Sequence, residues 1–182
     1  FCLESELADK LIQIRSDTVM WHKERLLNLG LKNLPQDCSG VCWLDGDVLF
    51  DNDNWVAHAA TALQDSDVVQ LFDSCVLLPP EIRHLERRDT NYSTFSVERG
   101  LMFGFGFLWD RLRTQALQSG LGHTGFAWAA KKDLLDRHGF YDRCVIGSGD
   151  SLMSNAFVGN GIWLEKVAGC YSPQMIRDYQ EW

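Results

Sequence analysis

The sequence predicts a single α/β domain over residues 1–182, with a mixed, mainly parallel sheet flanked by helices. The main observation is a strand, a helix and a strand between Val41 and Phe72. Such a unit in about 30 residues is typical of parallel strands joined by right-handed crossovers. The length of 182 residues, with 46% hydrophobic and 23% charged residues, suits one soluble domain with a substantial core.

The charge and the cysteine content argue against several classes of protein. The formal net charge of -8 disfavours nucleic-acid binding, which needs basic surfaces. The six cysteines show no paired short spacing, which predicts reduced core thiols rather than a zinc site or a disulfide framework. No apolar run reaches the roughly 18 residues of a transmembrane segment. We therefore expect a cytoplasmic protein, with peripheral membrane association of a longer chain left open.

The first half of the chain is predicted to contain two helices and two strands. A helix from Met20 to Gly30 ends at its glycine. An apolar strand from Val41 to Leu44 leads into Asp45-Gly46-Asp47. Apolar residues at helical spacing then predict a helix that is capped by Asn54 and runs to about Asp65. A second short buried strand is expected from Val68 to Phe72.

The second half is predicted to combine polar loops with short strands and helices. Its elements are a polar loop at 79–99, a strand rich in glycine and aromatic residues at 101–109, a strand at 126–130, a helix at 132–138 that ends at Gly139, a helix at 151–158 and a helix opened by Ser172-Pro173.

Asp45 and Asp47 are the candidate metal ligands. Side chains alternate along an extended chain, so these two residues are expected to point the same way. Two carboxylates at such a short separation repel each other unless a cation lies between them. Carboxylate oxygens are ligands that suit Mg²⁺ or Mn²⁺. Gly46 would leave the approach open. The same three residues are also common in turns, and that alternative stays open.

Three further polar residues have both a functional and a structural interpretation. Lys23 and Asn28 lie on the first predicted helix, where they either face a site or contact solvent and cap the helix. Asp150 follows the glycine-rich turn Gly147-Ser148-Gly149 at a helix start. An N-cap is the ordinary role of an aspartate there.

Four segments between about Trp21 and Gly159 together resemble the GT-A class of nucleotide-sugar glycosyltransferases. In order, they are Trp21-His22-Lys23-Glu24 with Asn28, Cys42-Trp43-Leu44-Asp45-Gly46-Asp47, Gly125-Phe126-Ala127-Trp128 with Gly139-Phe140-Tyr141-Asp142, and Gly147-Ser148-Gly149-Asp150. Asp45-Gly46-Asp47 resembles the metal-binding Asp-x-Asp of that class. The last two segments resemble the acceptor-side region of inverting members, including the galactosyltransferase-like branch.

The resemblance implies metal-dependent, inverting transfer of a hexose from a nucleotide diphosphate sugar, with a UDP-sugar favoured, to a carbohydrate or glycoconjugate acceptor. Asp45 and Asp47 would hold Mn²⁺ or Mg²⁺, which stabilises the leaving diphosphate. Asp150 would be the catalytic base. Tryptophans in such a site would stack on sugars, although strand tryptophans are more often core. The implied donor-side residues are Lys23, Asn28, Trp43 and Gly46, and the implied acceptor-side residues are His123, Gly125, Trp128 and Gly149.

The chain departs from the GT-A class in three respects. It begins within or after the strand that would bind the base, no histidine follows His138, and Gly149-Asp150 stands where inverting members often carry Glu-Asp. We therefore expect a domain that lacks its N-terminal nucleotide-binding strand and its C-terminal end, and that is inactive alone if half the site is missing. The alternatives are a non-catalytic nucleotide-sugar or carbohydrate-binding domain and, less favoured, a phosphohydrolase of the haloacid dehalogenase type. Members of that phosphohydrolase class carry threonine or valine at the position that Leu49 occupies in this chain.

Overall fold

A computed structural model describes residues 8–79, 96–102, 122–145, 147–159 and 171–182. Most of the polar loop expected at 79–99 and of the strand expected at 101–109 lies outside the described residues. Five helices and five strands have their full extent within them. The helices are α1 (Lys23–Leu31), α2 (Trp55–Asp65), α3 (Lys132–His138), α4 (Gly149–Phe157) and α5 (Pro173–Glu181). The strands are β1 (Gly40–Leu44), β2 (Val68–Gln70), β3 (Ser74–Leu77), β4 (Ser96–Arg99) and β5 (Ala127–Lys131).

Every strand pair in the described ranges is antiparallel, so the prediction of a GT-A-like, mainly parallel sheet is wrong. The main sheet has three strands in the order β1-β5-β2, and β5 runs antiparallel to both neighbours. β3 and β4 form a second, two-stranded antiparallel sheet. β1 and β2 do run in the same direction with α2 between them in sequence, as expected. The late strand β5 lies between them in space, which a local strand-helix-strand pattern does not reveal.

The larger core cluster packs on one face of the main sheet. Trp43 of β1 lies opposite Trp128 of β5, and their rings stack with centroids 6.4 Å apart. Leu152 and Met153 of α4 belong to the same buried cluster. On the other face, Ala129 of β5 packs with buried residues of α2, because successive residues of a strand face opposite ways. The sheet therefore separates α2 from α4.

The side chain of Asn28 ties α1 to the segment that follows α3. Its Nδ2 donates to the carbonyl oxygen of Phe140 at 2.8 Å, and its Oδ1 accepts from the backbone N–H of Phe140, also at 2.8 Å. The preceding Gly139 has a φ of +67°, and a Cβ there would lie 3.0 Å from Asn28 Oδ1. Asn28, which the resemblance assigned to donor binding, thus has a structural partner. It holds the chain that leads to Asp150.

Asn28→Ala is expected to lower the free energy of unfolding by about 2 kcal/mol, because both backbone polar groups of Phe140 lose their partner. The matched control is Asn54→Ala, since the exposed Asn54 precedes α2 without making a side-chain capping bond. Urea denaturation of both variants measures the difference. Equal, small losses would show that the two hydrogen bonds contribute little.

Candidate functional site

Three side chains from distant parts of the sequence meet at one point, the Lys23 cluster, which consists of Lys23, Asp45 and Asp150. The ammonium Nζ of Lys23 lies 2.5 Å from Oδ1 of Asp45. The same Nζ lies 3.2 Å from Oδ1 and 3.0 Å from Oδ2 of Asp150. Lys23 begins α1, Asp45 follows β1 and Asp150 lies in the first turn of α4. The fold thus brings two of the three acidic residues singled out in the sequence, Asp45 and Asp150, to one cation.

The Lys23 cluster is half-buried and carries one excess negative charge, from two carboxylates and one ammonium. The side chains of Lys23, Asp45 and Asp150 are 18%, 28% and 26% exposed. Burial alone would lower the pKa of Lys23, but its hydrogen bonds and charge contacts with the two carboxylates outweigh burial and raise that pKa. Lys23 is therefore a fixed cation at neutral pH and not a proton acceptor.

The backbone of Phe126 orients Asp45. The backbone N–H of Asp45 donates to the carbonyl oxygen of Phe126 at 2.8 Å, and the backbone N–H of Phe126 donates to Oδ2 of Asp45 at 3.2 Å. Phe126 has a φ of +71°, a left-handed conformation that is costly for a residue with a side chain. The pairing of Leu44 with Ala127 sets this register. The sheet itself therefore fixes the direction of the Asp45 carboxylate.

Asp45 and Asp47 lie in a turn and not along an extended strand. β1 ends at Leu44, and the backbone N–H of Val48 donates to the carbonyl oxygen of Asp45 at 3.3 Å. The alternation of strand side chains therefore does not apply to this pair. Asp47 is exposed, Asp45 is half-buried, and the space above Gly46 is open. The Asp47 carboxylate is accessible to a ligand from solvent.

The two turn carboxylates suit a hard divalent cation that is shared with a substrate. The described residues contain no group of three histidine, cysteine or acidic side chains that could hold a metal ion by itself. Mg²⁺ is commonly bound by one or two carboxylates together with substrate phosphates, and Mn²⁺ favours the same oxygen ligands. Asp45 and Asp47 supply two carboxylates of the type that such an ion takes, and Asp47 is exposed beside the open turn. The Lys23 ammonium already contacts Oδ1 of Asp45, so a metal ion would share that carboxylate with it.

The loop before β5 places His123 close to Asp150. The ring Nδ1 of His123 accepts a hydrogen bond from the backbone N–H of Gly125 at 3.1 Å, and its ring stacks on Phe126 with centroids 3.8 Å apart. A Cβ on the buried Gly125 would lie 3.1 Å from His123 Cε1 and 3.4 Å from Asp150 Oδ2. His123 and Gly125, both expected on the acceptor side, therefore lie near Asp150.

The two tryptophans assigned to substrate are buried in the core. Trp43 is 4% exposed and Trp128 is 2% exposed, and Nε1 of Trp128 donates to the carbonyl oxygen of Thr124 at 2.9 Å. Their burial favours the core interpretation over sugar stacking. Trp21 is 53% exposed, and its backbone N–H donates to the carbonyl oxygen of Val145, in the segment before Asp150, at 3.1 Å. It is the more accessible aromatic surface near the Lys23 cluster.

Glu24 is a residue of this region to which the sequence assigned no functional role. It is 2% exposed and packs against Gly149, where a Cβ would collide with its carboxyl group. Burial raises the pKa of Glu24, and the negative charge of Asp150 raises it further. One signal was present in the sequence. Glu24 shares the helical stripe of Leu27 and Leu31, where a charged residue is out of place.

Comparisons of the chain with protein-family models, with curated proteins and with solved structures gave no match. Among the helices that the structure describes, none has the length and apolar character needed to cross a membrane. The geometry of the Lys23 cluster and its surroundings is therefore the basis for assigning a function.

Proposed function

We propose that this protein is a metal-dependent, inverting glycosyltransferase that moves a hexose from a nucleotide diphosphate sugar, with a UDP-sugar favoured, to a hydroxyl group of a carbohydrate or glycoconjugate. The observation that carries the proposal is the contact of Asp45 and Asp150 with one ammonium group. This reaction needs one carboxylate near the leaving diphosphate and another near the acceptor. The proposal depends on these side chains and not on the fold, because one fold hosts many functions.

Asp45 and Asp47 would hold Mn²⁺ or Mg²⁺ on the donor side. When bound, the ion would act as a Lewis acid and stabilise the negative charge that develops on the leaving diphosphate. Lys23 offsets part of the negative charge of the site, since its ammonium lies between Asp45 and Asp150. The open turn around Gly46 gives a diphosphate access to the carboxylates.

Asp150 is the residue that would take the acceptor proton. The acceptor oxygen bonds to the anomeric carbon on the face opposite the diphosphate while the bond from that carbon to the diphosphate breaks, and the hydroxyl proton passes to the carboxylate. Each oxygen of Asp150 already accepts from Lys23. A carboxylate oxygen has two lone pairs, so a second hydrogen bond to the acceptor remains available. Gly125 lies between this carboxylate and His123, since a Cβ on it would be 3.4 Å from Oδ2 of Asp150 and 3.1 Å from Cε1 of His123.

The proposal includes a cytoplasmic location, with no nucleic-acid partner. The free thiols of the described cysteines support a reducing compartment, and these are Cys38, Cys42, Cys75 and Cys144. The net charge of -8 supports a small or neutral partner over nucleic acid.

The test is release of UDP by the 182-residue chain from UDP-glucose or UDP-galactose, with a panel of sugar acceptors and with Mn²⁺ or EDTA. We expect release that needs the metal and falls sharply in Asp45→Asn. Asp37→Asn, at an exposed aspartate outside the Lys23 cluster, is the control and should behave like the wild type. Release that EDTA and Asp45→Asn both leave unchanged would contradict the proposal. Binding of a UDP-sugar without release under any condition would favour the non-catalytic binding domain instead.

A further inference from the structure

Glu24 is a buried acidic residue that the proposed reaction does not use. It follows Lys23 in α1 and is one of the largest fully buried side chains in the described residues. Its Oε1 atom is buried and has no hydrogen-bond partner among those residues. A buried polar atom without a partner costs free energy, and an ionised one costs much more. Its burial therefore needs an explanation.

The carboxyl group of Glu24 lies against the start of α4. Gly149 is the first residue of that helix and is buried, and a Cβ on it would overlap the carboxyl group of Glu24. The preceding Ser148 has a φ of +72° and makes no side-chain capping bond. Asp150 is the next residue along the helix. The position of Asp150 therefore depends on how closely Gly149 approaches Glu24.

The charged and titratable groups around Glu24 favour its neutral form. Burial is the largest cause that raises the pKa of Glu24, and the negative charges of Asp150 on α4 and of Asp142 on the segment before α4 raise it further. A hydrogen bond from its own backbone and the charge of Lys23 lower that pKa, but the net direction is upward. Cys144, from the same segment, also interacts electrostatically with Glu24. Lys23 already contacts two carboxylates. An ionised Glu24 would add a third negative charge beside a single ammonium.

We propose that Glu24 is a positioning residue that holds Asp150 in place through Gly149, and that it does so as a neutral carboxylic acid. The inference rests on the proposed function for what Asp150 does, although the packing and the charge state are independent of it. Glutamine has the same shape as the neutral acid and cannot ionise. Glu24→Gln should therefore preserve the packing, whereas Glu24→Ala should remove it.

The first measurement is urea denaturation of the wild type and of Glu24→Gln between pH 4 and pH 8. A raised pKa in the folded protein means that the stability from neutral Glu24 is fully present below the ordinary carboxyl pKa and is lost as pH rises through the folded pKa. We expect the Gln variant to gain in urea midpoint relative to the wild type as pH rises above the ordinary carboxyl pKa. Glu181→Gln, at an exposed glutamate of α5, should show no such gain. If the difference in urea midpoint between Glu24→Gln and the wild type did not change with pH, the proposal that Glu24 is neutral would be overturned.

The second measurement is a double-mutant cycle with Gly149→Ala and Glu24→Ala. Alanine in place of glycine ordinarily stabilises a helix, but here we expect Gly149→Ala to lower the urea midpoint, and to lower it less when Glu24 is already alanine. Additive effects of the two substitutions would overturn the packing part of the proposal. Neither measurement uses a substrate, so failure of the proposed function would leave both results interpretable.

If transfer is detected, the pH profile of the reaction tests the positioning role directly. Glu24→Gln should keep the wild-type kcat at low pH and retain activity to higher pH than the wild type. Gly149→Ala should lower kcat with little change in the KM for the donor, because Asp150 moves while Asp45 and Asp47 do not. Identical pH profiles for the wild type and Glu24→Gln would overturn the role of Glu24.

Discussion

Asp150→Asn is expected to reduce kcat for hexose transfer by about 10²- to 10⁴-fold, the range typical of a lost general base. Asparagine keeps the size of the side chain and still accepts a hydrogen bond from Lys23, but it cannot take the acceptor proton. The donor site depends on Asp45 and Asp47, so the KM for the UDP-sugar should change little. Steady-state kinetics with donor and acceptor varied separately would measure both parameters.

The matched control for this prediction is Asp136→Asn. Asp136 also contacts a lysine, with its Oδ2 2.6 Å from Nζ of Lys132, but it lies on α3 and outside the Lys23 cluster. We expect wild-type kinetics for the control. Transfer by Asp150→Asn at the wild-type rate would remove Asp150 from the mechanism, and a loss confined to the KM of the donor would move it to the donor site.

Lys23→Met is expected to lower the free energy of unfolding by about 2 to 3 kcal/mol and to reduce transfer. The substitution keeps most of the apolar stem but leaves two half-buried carboxylates facing each other without a cation. Breaking a fully buried ion pair by removing one partner costs about 3–5 kcal/mol. The side chains of Lys23 and Asp45 are 18% and 28% exposed, so we expect a smaller cost. Urea denaturation at neutral pH would measure it.

Lys131→Met is the control for the loss at Lys23. In the wild type, the ammonium of Lys131 lies 2.9 Å from Oδ1 of Asp67, which is comparable to the contacts of Lys23. The side chains of Lys131 and Asp67 are, however, 35% and 73% exposed. Exposed pairs contribute about 0–1 kcal/mol, so this variant should be nearly as stable as the wild type. Equal losses in the two variants would mean that the Lys23 cluster has no special energetic role.

Local sequence patterns predicted the individual elements better than the sheet. The helices α2 and α3 lie where helical spacing and a terminal glycine placed them, and β1, β2 and β5 were expected close to their observed bounds. The pairing of β5 with both β1 and β2 joins strands far apart in sequence. Periodicity shows which residues face a core but does not show which strands pair with each other. The strand order β1-β5-β2 could therefore not be predicted from it.

The residues of the candidate site were singled out on two different grounds. Asp45 was chosen as one of two carboxylates after a predicted strand, whereas Asp150 was chosen through the resemblance, because an aspartate at a helix start ordinarily indicates an N-cap. Lys23 was assigned to the donor side by the resemblance, but its contact with Asp150 joins the start of α1 to the start of α4, which no local pattern encodes. Trp43 and Trp128 were assigned to substrate, but the strand register turns both rings into the core. Glu24 received no functional assignment, because helical spacing identifies a buried stripe without showing what a charged residue does there.

The most direct test of the central claim, that Asp45 and Asp47 bind a divalent cation together with a nucleotide diphosphate, is calorimetric titration of UDP into the protein. The titration is run with Mn²⁺, without Mn²⁺, and with the Asp45→Asn/Asp47→Asn variant in the presence of Mn²⁺. We predict binding by the wild type that needs Mn²⁺ and disappears in the double variant. Binding of equal strength in all three titrations would contradict the claim.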